Sequence, residues 1–292
     1  MGQQQKTLFI FGLGYVGLHL AQQLSNKGWQ IIATTRSPEK VKGNLGWQIL
    51  PFTDTAPIDN LASHLARATH LISTIGPVAG QDPVIAAHKQ QLQAFSGWTG
   101  YLSATSVYPD MPEGWVDEDT PPNPATARGK TRLAAEQAWQ EACGAEIFRI
   151  AGIYGPGRNV FKSLYEGSAR IIDKPGHLFN RIHQSDISQI IIAAIHTPEA
   201  RRILNLADMH PASQVDVVRF AASLAGITPP EPIPLEQANL SEMGRSFYDS
   251  QRKIRSKIIG QTLKYSFRYP DYKAGLHALF KAGDQSDSQP AQ

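Results

Sequence analysis

Apolar residues arrive along this chain in short blocks that switch between two periods. Thr7–Phe11 (TLFIF) is a continuous apolar run, the pattern of a strand buried on both faces. After a glycine-rich turn, Val16, Leu20 and Leu24 recur four apart, the stripe of a helix that stops at Lys27-Gly28. Gln30–Thr35 (QIIATT) predicts a second strand. The alternation continues with strands at residues 48–52, 70–74, 100–105 and 146–151. Helices are expected at residues 59–68, 83–95 and 125–142. Strands that alternate with helices predict an α/β fold, a Rossmann-type doubly wound parallel sheet with right-handed crossovers.

The rhythm changes after residue 151. Residues 154–176 are irregular and rich in glycine. Residues 186–196 read as a helix with Ile187, Ile190, Ile191, Ala194 and Ile195 on one face, and Asp186 with Gln189 resembles a capping box. A short strand is expected at 202–206 and a helix at 213–225. The stretch TPPEPIPLEQ then leads into a final segment with a helix at 249–259. This divides the chain into a nucleotide-binding domain at residues 1–155, to which 182–207 return, and a small C-terminal substrate lobe at 156–181 and 208–280. A frayed polar tail is expected at 281–292.

Composition narrows the class. The 292 residues carry a net charge of only +3, with 41% hydrophobic and 18% charged residues, which fits a globular protein and gives no reason to expect nucleic acid as a partner. No run of 18 apolar residues and no signal peptide is visible, so a membrane partner is not expected and the location is read as cytoplasmic. The single cysteine, Cys143, excludes an internal disulfide and reads as a small buried hydrophobe. Nine scattered histidines show no ligand spacing, so no metal is expected.

The chemistry starts in the first turn. Gly12-Leu13-Gly14-Tyr15-Val16-Gly17 matches G-x-G-x-x-G between a strand and a helix, the context that makes the pattern informative. Gly12 permits the tight bend, Gly14 lets a pyrophosphate approach, and Gly17 lets the helix lie close on the strand. The amides of Tyr15 and Val16 then open the helix toward the phosphates. An NAD site places Asp or Glu at the end of the second strand to hold the ribose hydroxyl. Here Thr35-Arg36 stand instead, a guanidinium suited to a 2′-phosphate. The cofactor is therefore read as NADP(H), with NAD as the second candidate. Ser73, Thr74, Ile75 and Gly76 end the fourth strand and Ser103 the fifth, all at the edge where the cofactor crevice is expected.

Several segments resemble the extended, atypical short-chain dehydrogenase/reductase family, whose members include NAD(P)-dependent epimerase/dehydratase-like proteins. These are the glycine turn, Ser103-Ala104-Thr105-Ser106-Val107-Tyr108, Arg149 to Arg158 (RIAGIYGPGR), Asn180 to Asp186 (NRIHQSD) and Asn205-Leu206-Ala207-Asp208. The resemblance spans nearly the whole chain. It implies that Ala151 and Gly152 lie beside the cofactor. It also implies that Tyr154, Arg158, Asn180, Arg181 and His183 approach a small-molecule substrate, in many relatives a nucleotide sugar. Within the residues themselves, Arg149 has a second reading as a pair inside the fold, and His183 as a cap on the following helix. The family often forms homodimers through two helices, which here would be those at 83–95 and after Arg128.

The resemblance breaks at the catalytic helix. The family uses Tyr-x-x-x-Lys; Arg128 and Arg132 stand at those positions. A guanidinium with pKa above about 12 does not shuttle protons near neutrality. The upstream hydroxyl position falls on Ala104, with Thr105 and Ser103 beside it. Two readings follow. One is an oxidoreductase or epimerase in which Thr105, Tyr108, Arg128 and Arg132 carry a changed chemistry, with the arginines on an anionic group or an oxyanion and Tyr108, Tyr154 or His183 as acid or base. The other is an NADP(H)-binding sensor without turnover. A plainer alternative puts both arginines in solvent, marked by an Arg132–Glu136 salt link.

Overall fold

The computed structural model describes residues 5–41 and 45–284, apart from the Met243 side chain; most of the expected tail lies outside them. The chain divides into two compact units. One comprises Met1–Val107, Pro122–Arg149 and Ser188–Leu204, the other Tyr108–Pro121, Ile150–Ile187 and Asn205–Gln292.

Unit one is built on a seven-stranded sheet. Its strands are β1 (Thr7–Phe11), β2 (Gln30–Thr35), β3 (Gln48–Pro51), β4 (His70–Ser73), β5 (Trp98–Ala104), β6 (Glu146–Ile150) and β7 (Ile203–Leu206). Their spatial order is β7-β6-β5-β4-β1-β2-β3. It is a parallel sheet flanked by helices, the Rossmann-type arrangement expected from the alternation, and β1 pairs in parallel with both β2 and β4. The strand order reverses between β1 and β4, and ligands of such sheets bind at the carboxyl edge of that reversal.

The helices are α1 (Tyr15–Ser25), α2 (Leu61–Leu65), α3 (Pro83–Gln93), α4 (Ala127–Cys143) and α5 (Gln184–His196). Helix α2 is half the expected length, because Asn60 enters it in a left-handed conformation and only Leu61 and Leu65 are buried. Asp82 caps α3 by accepting from the Val84 and Ile85 amides, and its other oxygen accepts from Trp139 of α4, which locks the two helices. Apolar faces of β1, β2 and β4 meet Trp139, Ala142 and Ile147 in one core. Cys143 is half-buried, and burial pushes its thiol up to about 11, so it is inert at neutral pH.

Charge inside this unit is paired. Arg149 of β6 donates to both carboxylate oxygens of Glu136 on α4, at 2.7 to 3.2 Å, with both side chains nearly inaccessible. This is the in-fold reading of Arg149. It also corrects the solvent-facing alternative for Arg132, though not for Arg128, because Glu136 serves β6 and no Arg132–Glu136 salt bridge is found among the described residues. Arg202 binds Glu146 in the same way at 2.6 Å.

Unit two is assembled from short parallel strand pairs, Gly152–Tyr154 with Arg181–His183, Ile171–Asp173 with Pro232–Pro234, and Met111–Val116 with Arg252–Ile254. The last pair corrects the helix expected at 249–259. Residues 252–254 form a strand that finds its partner about 140 positions away, and helix resumes only at Ile258–Gln261. Helices Gln214–Ala225 and Tyr272–Lys281 share a core with Phe161, Leu164 and Ile171.

The capping box at Asp186 is also corrected. Helix α5 begins at Gln184, and the fully buried Asp186 carboxylate accepts from the Tyr265 hydroxyl and the Arg268 and Tyr269 amides. A second buried acid, Asp208, uses Oδ1 for the His210 amide, while Oδ2 has no partner among the described residues. Burial pushes this carboxyl up to about 7, against the pull of the Arg181 charge, with Asp271 and Asp186 adding to the rise.

Two measurements check this account of buried charge. Glu136→Ala strands the Arg149 guanidinium and should cost about 3–5 kcal/mol in urea unfolding; a loss below about 1 kcal/mol would contradict the pairing. For Asp208, the folded state holds a proton that the unfolded chain, at the ordinary 3.8, releases. Stability from this group therefore falls as pH rises from about 4 to about 7, then levels off. Asp208→Asn stays neutral throughout, so its stability relative to the parent should rise across that window, and a difference independent of pH would contradict the assignment.

Candidate functional site

The carboxyl edge of unit one is shaped by what its glycines allow. Gly12 has φ +91°, a conformation that side chains resist, and a Cβ there would lie 2.7 Å from Ile75 and 2.8 Å from Thr74. At Gly17 a Cβ would collide with the Gly12 carbonyl oxygen. Helix α1 can therefore start directly beneath the bend. Thr74 and Thr34 fix the bend from both sides, since the Thr74 hydroxyl donates to the Gly12 carbonyl at 2.7 Å and the Gly12 amide donates to the Thr34 hydroxyl at 2.9 Å.

Gly14 is different. A Cβ on it would meet nothing within 4 Å, and it caps α1 with no side-chain hydrogen bond. The helix opens with Tyr15 and Val16 and no acidic residue in its first turn. A helix end of this kind concentrates amide donors and partial positive charge over open space, which suits a pyrophosphate.

At the end of β2, Thr35 is half-buried and Arg36 is exposed, with no carboxylate among the described residues in ion pair with Arg36. Ser73 at the end of β4 is buried, and its hydroxyl accepts from the Ile75 amide. Ser103 at the end of β5 is buried, and its Oγ has no partner among the described residues. Thr105 opens a single 3-10 turn (Thr105–Val107) after β5.

The two arginines of α4 part company. Arg128 is exposed, while Arg132 is half-buried and turns onto the sheet edge. Its Nη1 donates to the Tyr101 hydroxyl at 3.1 Å and to the Leu102 carbonyl at 3.3 Å. Gly76 packs against its Nη2, where a Cβ would stand 2.5 Å away. The involvement of Tyr101, and of Asp82 behind it, is absent from the sequence reading; only the two-residue step from Ser103 back to Tyr101 on one strand face signals it.

Unit two gathers the remaining candidates by themselves. The Ala151 amide donates to the Leu206 carbonyl, and the Gly152 amide to the Asn180 carbonyl, each at 3.0 Å. The Tyr154 hydroxyl donates to the Asp271 carbonyl at 3.2 Å, and burial pushes this phenol far above its ordinary value. His183 lies edge-on to Tyr154, with ring centroids 5.1 Å apart, and against Tyr269 at 4.0 Å. Its Nδ1 accepts from the Ser185 amide at the start of α5, the capping arrangement.

Asn180 spends its amide on the Arg252 carbonyl and the Ile254 amide. Arg181 donates to the Phe179 and Ala212 carbonyls. Arg158 is exposed on the Gly155–Arg158 turn. Tyr108 is fully buried and donates to Asn205 at 2.8 Å. Asn180, Arg181, Tyr154 and Tyr108 thus hold the fold of this unit through hydrogen bonds. Among the described residues no cluster of His, Cys, Asp or Glu could hold a metal, and no helix is long and apolar enough to cross a membrane.

No family profile matches the chain. The protein YeeZ of Escherichia coli K12 is 27% identical over 285 residues, covering 91% of this chain and 97% of YeeZ. A functionally unknown conserved protein from Silicibacter pomeroyi is 38% identical with a TM-score of 0.87, covering 96% of this chain and 99% of that one. A Methylobacillus flagellatus protein provisionally described as an NAD-dependent epimerase/dehydratase is 26% identical, with a TM-score of 0.70 and coverage of 96% and 99%. The human epimerase family protein SDR39U1, solved with NADPH, shares the fold at 14% identity and a TM-score of 0.73, with coverage of 94% and 99%. The chain belongs to one family with the Silicibacter pomeroyi protein and shares its fold with NAD(P)-dependent epimerase/dehydratase-like proteins.

Proposed function

We propose that unit one binds a nicotinamide dinucleotide, NADP(H) in preference to NAD(H). We further propose that the protein is an oxidoreductase or epimerase-type enzyme acting on a small carbonyl or nucleotide-sugar-like substrate. The observation that carries the cofactor reading is the bare helix end at Gly14, set over open space and followed at the next strand by an exposed arginine where an acidic residue would select NAD. The bound NADPH of human SDR39U1, which has the same fold, supports it.

The residues that would hold the cofactor are Gly12, Gly14, Tyr15, Val16 and Gly17 at the pyrophosphate, Thr35 and Arg36 at the 2′-phosphate, and Ser73 to Gly76 with Ser103 along the remaining edge. Ala151 and Gly152 are assigned to the same role by family resemblance. When bound, the nicotinamide supplies hydride transfer. The chain's own part is to bind, orient and exclude water, because neither Arg128 nor Arg132 exchanges a proton near neutrality.

A second reading, an NADP(H) sensor without turnover, is favoured by one observation. The replacement acids Tyr108 and Tyr154 are both buried and both donate their proton to a partner inside unit two.

Titration followed by nicotinamide fluorescence should give NADPH at least about tenfold tighter than NADH, since charge-assisted hydrogen bonds contribute roughly 1.5–3 kcal/mol. Arg36→Ala should remove most of that preference; equal affinities for the two nucleotides would contradict it. NADPH consumption across carbonyl compounds and nucleotide sugars separates the readings, since binding with no turnover on any of them favours the sensor.

A further inference from the structure

Arg132 is a half-buried cation with no carboxylate in ion pair among the described residues. Three guanidinium groups that meet a carboxylate do so through the Nε–Nη2 edge. Arg149 meets Glu136 through Nε at 3.1 Å and Nη2 at 2.7 Å. Arg202 meets Glu146 through the same two atoms at 3.0 and 2.6 Å. The half-exposed Arg255 meets Asp117 likewise at 3.2 and 2.8 Å. Arg132 donates from Nη1 alone, to two neutral oxygens that fix its plane. Its Nε and Nη2 have no acceptor among the described residues, and no carboxylate lies in ion-pair distance.

The nearby acids are committed elsewhere. Asp82 feels the Arg132 charge, but its oxygens accept from Val84, Ile85 and Trp139, and burial pushes its carboxyl up. Glu136 belongs to Arg149. The half-buried guanidinium is held in one orientation by Tyr101 and Leu102, and its Nε–Nη2 edge is left open to a ligand.

We infer that the Nε–Nη2 edge of Arg132 is a preformed site for the carboxylate of the substrate, which makes that substrate a carbonyl compound bearing a carboxylate. The inference rests on the proposed NADP(H) site. The cofactor's phosphates have their own holders at β1 and β2, whereas Arg132 lies at β4 and β5, across the strand-order reversal. A single planar edge matches a single planar carboxylate, and the rigid fork is what a lysine at this position would lack.

The test uses the full-length protein loaded with NADPH, titrated with oxamate and with its neutral amide counterpart, oxamide. Calorimetry and nicotinamide fluorescence report binding. Oxamate should bind, and oxamide at least about tenfold more weakly, the discrimination expected of a charged two-point contact. Arg132→Gln should weaken oxamate at least about tenfold and leave the NADPH affinity within about twofold, and Arg132→Lys should fall between. NADPH binding by each variant shows that it has folded.

Three results overturn the site: no oxamate response at about 10 mM, equal binding of oxamate and oxamide, or an Arg132→Gln variant that binds oxamate like the parent. A fourth, NADPH affinity that falls in step with oxamate affinity in Arg132→Gln, assigns the edge to a cofactor phosphate and equally overturns it. Should the parent bind no NADPH, the cofactor proposal fails on its own, and calorimetry of oxamate on nucleotide-free protein still reads Arg132.

Discussion

The close approach of Gly17 to the carbonyl oxygen of Gly12 sets the geometry of unit one. With no side chain at residue 17, α1 begins directly under the bend that ends β1, and the helix axis points its amide end at the carboxyl edge of the sheet. Thr34 and Thr74 clamp the bend from the flanking strands, so the conformation at Gly12 is held by β2 and β4 as well as by β1. Because the strand order reverses at this point, the clamped bend stands where the sheet leaves room for a ligand. Gly14 then caps the helix with no side-chain hydrogen bond, and no acidic residue stands in the first turn, a helix end suited to an anion.

Elsewhere the fold neutralises buried charge with care. Arg149, Arg202 and Asp186 each meet matched partners. These contacts tie β6 to α4, strand β6 to the turn before β7, and α5 to the segment around residue 268. Against that background, the polar groups left without a counterpart carry information. Arg132 and Ser103 in unit one, and Asp208 in unit two, are such groups. Stability alone gives no reason to keep them, and functional sites are where local rules of this kind are relaxed.

Much of unit one was legible in the sequence, because its signals are local. Continuous apolar runs gave β1, β2, β4 and β6 nearly to the residue, and glycines at 12, 14 and 17 located the bend and the helix start. Unit two was harder, since its order depends on partners far along the chain. Residues 252–254 form a strand only because 111–116 lie beside them, and the Asp186 carboxylate serves residues some 80 positions later rather than its own helix. The same limit applied to the site. Two arginines one helical turn apart were visible, but not that Arg128 is exposed while Arg132 folds onto Tyr101. An Arg132–Glu136 link was the marker of the alternative with both arginines in solvent; the buried arginine of β6 claims that carboxylate instead.

The central claim is that the open helix end at Gly14 and the guanidinium of Arg36 together receive a phosphorylated dinucleotide. A crystal structure of the protein soaked with NADP tests it most directly. The account predicts pyrophosphate oxygens on the amides at the start of α1 and the 2′-phosphate against Arg36. Nucleotide bound away from this bend, or a bend left empty at saturating NADP, would contradict it.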